Sequence, residues 1–155
     1  MKVYLAGMFS TIKTRKAQAA ELRALGIEVT SRWIDETVPH NVEMKDISDA
    51  YHEETATADI DDIEACDVFV EFVPSDAELV YATLRSSSRG GRHFEMGYAY
   101  KAGTTIFVVG TKENVFHHLP AGFRNKPGIR HFATWEDAKF ALMARRSYEE
   151  NVINF

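Results

Sequence analysis

Glu95 lies where a polar, glycine-rich run passes into a helix: Ser86-Ser87-Ser88-Arg89-Gly90-Gly91-Arg92-His93-Phe94-Glu95-Met96-Gly97-Tyr98-Ala99-Tyr100. The pattern places Glu95 in the first turn of a helix spanning His93 to Ala102 and stopped by Gly103. A glutamate there complements the helix dipole and needs no further role. The surrounding loop argues for more. Gly90 and Gly91 let a ligand approach the backbone closely, and Phe94 and Tyr98 offer aromatic surface to hold a ring. The dipole would keep the carboxyl ionised, as a nucleophile requires.

Asp59, Asp61, Asp62 and Glu64 read as a solvated helix face. Asp59 is the exception, because it lies on the turn before a strand whose C-terminal end feeds the Glu95 loop. A second carboxyl group near Glu95 would supply the acid/base of a two-carboxylate mechanism.

The loop Gly7-Met8-Phe9-Ser10-Thr11-Ile12-Lys13-Thr14-Arg15 precedes another helix. Hydroxyls, backbone N–H groups and a helix N-terminus can hold a phosphate, and Arg89 and Arg92 could add charge from the opposite loop. A solvated turn with basic residues accounts for the same stretch. It is neither a Walker loop nor Gly-x-Gly-x-x-Gly. The six histidines form no metal signature: His117 and His118 are adjacent, and Cys66 has no second cysteine. Ser86-Ser87-Ser88 lacks the Gly-x-Ser-x-Gly elbow of a serine hydrolase. Trp33 and Trp135 read as core or wall residues.

These residues need a frame. Val3 to Ala6, Ile27 to Trp33, Asp67 to Val73, Thr104 to Val109 and Ile129 to Ala133 read as strands. In the second, Ile27 and Val29 should face in, and Glu28 and Thr30 out. Helices are expected over Thr14 to Leu25, with Ala17, Ala20, Leu22 and Leu25 as the apolar positions, and over Thr57 to Ala65. Further helices should cover Ser75 to Leu84, His93 to Ala102, and Thr134 to about Tyr148. Thr134 and Asp137 would act as a capping box. Ile34 to Thr55 and Lys112 to Lys126 read as long irregular segments. The alternation predicts one α/β domain over residues 1–155: an open, parallel, five-stranded sheet of order 2-1-3-4-5 with helices on both faces, flavodoxin- or Rossmann-like. Ligands of such sheets bind beyond the strands' carboxyl ends, at the switch between strands one and three. That end gathers Tyr4 to Ser10, Asp59 to Asp62, Ser88 to Glu95 and Asn114.

With 155 residues, 45% apolar and 26% charged, the chain can build one core. Its net charge of −5 disfavours nucleic-acid coating and anionic membranes. The apolar run after Met1-Lys2 is too short for a signal peptide or a membrane span. One cysteine suits a reducing, cytoplasmic setting.

Three stretches carry a resemblance. Val3 to Gly7 (VYLAG), Ala58 to Glu71 (ADIDDIEACDVFVE) and Arg89 to Ala99 (RGGRHFEMGYA) resemble motifs of the nucleoside 2-deoxyribosyltransferase family and of related 2′-deoxynucleoside 5′-phosphate N-hydrolases. Small phage and bacterial members share the Glu113 to Pro120 run. The resemblance implies Glu95 as nucleophile on the anomeric carbon, Asp59 as the acid that helps the base leave, and Tyr4 beside the sugar. It puts Ser88 near a phosphate-binding serine. Met8 stands where the hydrolases have serine, and Trp33 where they have a site histidine. The implied reaction is cleavage of an N-glycosidic bond through a covalent deoxyribosyl-enzyme, with transfer to a second base or to water. It calls for no metal or organic cofactor. The substrate would be a small nucleoside or nucleotide, and the assembly a homodimer or larger, with Asn151 to Phe155 reaching a neighbour's site. A nucleotide-binding module without catalysis and a ribonucleotide glycosidase are the other classes these residues allow.

Overall fold

The computed structural model describes residues 1–35, 47–83 and 90–153, the side chains of 81–83 and 153 excepted. Five parallel strands form one sheet: β1 (Lys2–Ala6), β2 (Glu28–Val29), β3 (Val68–Phe72), β4 (Thr105–Val109) and β5 (Ile129–Phe132). Their order is β2-β1-β3-β4-β5, as the alternation of elements requires. The helices are α1 (Ile12–Ala24), α2 (Asp49–Glu64), α3 (Asp76–Thr83), α4 (Gly91–Ala102) and α5 (Trp135–Ile153).

β3 explains itself: Val68-Phe69-Val70-Glu71-Phe72 is buried at all five positions, as a central parallel strand covered on both faces must be. Side-chain alternation then sorts the two faces. Tyr4 pairs in register with Phe69, and their rings stack with centroids 5.4 Å apart. They and Glu71 face α2 and α4. Phe72 faces the other way, with its ring 5.5 Å from Trp135 of α5 and beneath Arg15 of α1.

Several expectations need correction. β2 holds only Glu28 and Val29. Thr30 and Ser31 are buried, whereas Val29 is only half-buried. The cause is a side chain replacing the ladder: Ser31 Oγ accepts from Leu5 N–H at 2.6 Å. Arg32–Ile34 then turns as a short 3-10 helix. α1 begins at Ile12 and buries Ile12, Arg15, Gln18, Ala19 and Leu22. Ala17 and Ala20 are exposed, because the inward stripe takes in Arg15 and Gln18, which no apolar count detects. α2 begins eight residues before Thr57. Ser48 caps it by accepting from Tyr51 N–H at 3.3 Å, and Thr57, now inside the helix, donates back to Glu53 O at 2.8 Å. Its added turns are mostly exposed, so they carry no apolar period. α4 begins at Gly91, two residues early, and α5 continues past Tyr148 to Ile153. The Thr134–Asp137 box is present: Asp137 N–H donates to Thr134 Oγ1 at 3.2 Å, and Thr134 Oγ1 to Asp137 Oδ2 at 2.7 Å. No described helix is long and apolar enough to cross a membrane.

Gly103 ends α4 with φ of 88°, a conformation that strains any residue with a Cβ. A Cβ there would meet only the Lys126 side chain, at 3.5 Å, so strain would outweigh crowding. Gly103→Ala should cost about 1–2 kcal/mol, read as a lower denaturant midpoint at unchanged slope. An unchanged midpoint would contradict the left-handed stop.

Candidate active site

Glu95 sits in the second turn of α4, five residues past Gly90 at the N-cap; the first turn holds no acid. The dipole therefore does less for it than expected. Tyr4, fully buried on β1, donates its hydroxyl to Glu95 Oε1 at 3.3 Å. Burial raises the Glu95 carboxyl to about 7, and the nearby Asp59 charge adds to the rise; the Tyr4 hydrogen bond opposes it. Burial, then Glu95 and Asp59, push the Tyr4 phenol well above its usual value. Tyr4 is thus a neutral donor. The expectation of a dipole-held, fully ionised Glu95 is overturned by desolvation, which outweighs the helix end.

Asp59 is not on a turn but within α2, more than a turn before its end. The helix is fixed beside the end of β2. Asp62 accepts from Arg32 N–H at 2.8 Å and from Arg32 Nε at 2.7 Å. Arg32 Nη2 donates to Ala58 O at 3.0 Å, one residue from Asp59. Trp33 is 9% exposed, and its indole N–H donates to Leu5 O at 2.9 Å. Tyr4, Glu95 and Asp59 therefore meet electrostatically near the carboxyl end of β1, where a ligand of this fold belongs.

Gly7 follows β1 directly; Met8 is half-buried, and Phe9 and Ser10 are exposed in a 3-10 turn that leads into α1. Gly90 and Gly91 face open space, since a Cβ at either would meet nothing within 4 Å. Phe94 is exposed and stacks with Tyr98 at 6.5 Å. The Tyr98 hydroxyl donates to Glu64 of α2. Ser88 and Arg89 lie outside the described residues, as does the end of the Asn151 to Phe155 segment.

Arg92 is tied down. Its Nη1 lies 2.6 Å from both Glu71 Oε1 and Glu113 Oε1, and its side chain is 9% exposed. Glu71 is fully buried, and its other oxygen lies 3.2 Å from His117 Nε2. Glu113 N–H donates to His117 Nδ1 at 3.3 Å, which leaves the ring proton on Nε2, facing Glu71. Burial holds the imidazole below its usual value, so it is neutral at pH 7. Burial also raises Glu71 to about 7, against the pull of Arg92. This network joins the end of β3 to the first turn of α4, one turn before Glu95. Glu71, His93 and Glu113 bring three ligand atoms within 4.8 Å of one another, but Arg92 already supplies the cationic charge there. Sequence reasoning passed over Glu71 and His117. The available signal was a lone carboxylate inside an otherwise apolar strand, Val68-Phe69-Val70-Glu71-Phe72.

No protein-family model and no curated protein matches the chain. Among solved structures it is similar to a 2-deoxyribosyltransferase from the psychrotolerant bacterium Bacillus psychrosaccharolyticus, with 20% identity over 92% of this chain and 96% of that one, at a TM-score of 0.58. It is also similar to a CMP N-glycosidase from Clostridium botulinum, with 20% identity over 85% and 88% of the two chains, at a TM-score of 0.49. The first likeness shows that the two chains share a fold.

Burial of Glu95 has a consequence for stability. Its folded value of about 7 exceeds that of an unfolded glutamate, so the folded state binds the proton more tightly. Stability from this group is present at low pH and is lost as pH rises towards 7. Glu95→Gln mimics the protonated form. It should melt a few degrees above the wild type at pH 8, with the gap closing by pH 5. A gap that widens on acidification would contradict the raised value.

Proposed function

We propose that this chain cleaves the N-glycosidic bond of 2′-deoxyribonucleosides or their 5′-monophosphates, through attack of Glu95 on the anomeric carbon. The observation that carries the reading is a half-buried carboxylate held by the Tyr4 hydroxyl at 3.3 Å and acted on by the charge of a second carboxylate, Asp59. The fold shared with a 2-deoxyribosyltransferase supports it.

The chemistry follows from the pair. Departure of the base leaves an oxocarbenium-like sugar, which an adjacent carboxylate stabilises and then captures. Glu95 must be ionised to do this. Asp59 in its protonated form gives a proton to the leaving base, and takes one back from the acceptor that opens the deoxyribosyl-enzyme. Attack on both steps comes from opposite faces, so configuration is retained overall. Tyr4 orients Glu95 without giving up its own proton. A second base as acceptor makes the reaction a transfer, and water makes it a hydrolysis. Exposed Phe94, Val115 and Phe116 support a homodimer or larger assembly, which sedimentation would show and a strictly monomeric boundary would refute.

Deoxynucleosides and deoxynucleotides, incubated with and without a free base, should release base or form a new nucleoside, and Glu95→Ala should abolish both. Ribose substrates run in parallel should react far more slowly. Tight binding without turnover across the panel would instead mark a binding module. In the free enzyme, with a substrate whose base leaves without needing a proton, kcat/KM should rise with pH through about 7 as Glu95 loses its proton. Asp59→Asn should move that limb to lower pH, because a neighbouring negative charge is gone. It should also cost about 10²–10⁴ in kcat for bases that need a proton. A limb that stays in place would separate Asp59 from Glu95.

A further inference from the structure

One buried cation has no part in the site described so far. Arg15 projects from the second turn of α1 and is 6% exposed. Its Nε and Nη1 atoms have no hydrogen-bond partner among the described residues. The guanidinium carbon sits 3.7 Å above the ring centroid of Phe72, the last residue of β3. The stem crosses Gly7, the first residue after β1. A Cβ at Gly7 would lie 3.3 Å from Arg15 Cδ and 3.6 Å from Nε, so glycine makes room for that path. The guanidinium thus lies between the carboxyl ends of β1 and β3, the adjacent strands at which the sheet reverses its order.

The surroundings leave it in need of an anion. Glu78 is the acid whose field Arg15 feels most, but its carboxylate is engaged by Ser75, at 2.7 Å to N and 2.9 Å to Oγ. The 3-10 turn before α1 uses the Thr11 and Ile12 N–H groups on Met8 O and Phe9 O, and the Thr11 hydroxyl also donates to Met8 O, so none of these supplies Arg15 with an acceptor. The paired N–H groups of a guanidinium fit phosphate oxygens. Burial lowers the Arg15 group only to about 10, so it is charged at neutral pH. An unpaired buried charge is costly, and an incoming dianion would relieve that cost.

We propose that Arg15 is the phosphate-binding residue of this cleft, so that the substrate is a nucleoside 5′-monophosphate rather than a free nucleoside. This rests on the reading of Glu95 given above. The sugar lies over Tyr4 and Glu95 on one side of β1, and its 5′ end passes across the strand end to Gly7 and Arg15. Arg92, already shared by two carboxylates, is not needed for the phosphate.

The test uses the whole chain and inorganic phosphate as probe. Titration should shift the Arg15 Nε–H resonance of the wild type in nitrogen-15 spectra. Arg15→Met, which keeps the apolar stem over Phe72, should bind phosphate at least tenfold more weakly. On a deoxynucleoside 5′-monophosphate, Arg15→Met should raise KM at least tenfold at unchanged kcat, while kcat/KM on the free deoxynucleoside stays the same. Arg15→Lys should restore part of the loss. A wild-type resonance that ignores phosphate overturns the proposal even if Arg15→Met fails to fold. Equal losses on nucleotide and nucleoside overturn it too. Phosphate binding without any KM split marks a free-anion site and overturns the assignment to substrate. If no substrate turns over yet the resonance shifts, the glycosidic reading fails and the anion site survives.

Discussion

A carboxylate taken out of water must find a partner or give up its charge, and under one face of its sheet this molecule holds Glu71 fully buried and Glu95 half-buried. Glu71 and Glu95 both sit where burial raises them to about 7, but they are held differently. Glu71 has Arg92 on one oxygen and His117 on the other. Each oxygen has a partner, which fits a structural group. Glu95 is held by the Tyr4 hydroxyl on one oxygen. That leaves it oriented yet chemically available, which is what a nucleophile needs.

The two carboxylates are connected through α4. Arg92 fastens the first turn of the helix to β3 and to Glu113 beyond β4, and Glu95 follows one turn later. Glu95 is therefore carried on a helix whose start is clamped from two directions. On the other side of the sheet, Arg15 presents the converse arrangement, a buried cation at the neighbouring strand ends that feels Glu78 but whose Nε and Nη1 find no hydrogen-bond acceptor among the described residues. The strand ends thus separate an acidic side, with Glu71 and Glu95, from a basic one, with Arg15.

The sheet was legible because its signals are strong. Short apolar runs closed by glycine or proline, alternating with helix formers, specify the parallel order that the structure has. Glu95 and Asp59 were singled out from a glycine-rich helix entry and a resemblance, and the Asp59 charge acts on Glu95 in the structure. What stayed hidden was polar and long-range. Ser31 shortens β2 by bonding to Leu5, 26 residues earlier, and no local pattern announces that. Arg15 counts as a surface residue in any periodicity, yet it is buried. The Glu71–Arg92–Glu113–His117 network joins positions 21 and 46 residues apart, so its members look like isolated polar residues until the fold assembles them. The ionisation of Glu95 was misjudged because a sequence shows the helix end but not the depth of burial.

The brevity of β2 also bears on how copies of this chain behave towards one another. Exposed sheet margins invite a stranger's backbone to continue the ladder. Here that margin is two residues long, and the next amide inward, that of Leu5, is already closed off by the Ser31 hydroxyl. A hydroxyl group spent on one peptide N–H thereby serves as a stopper, leaving this border of the sheet too short to template fibrous growth.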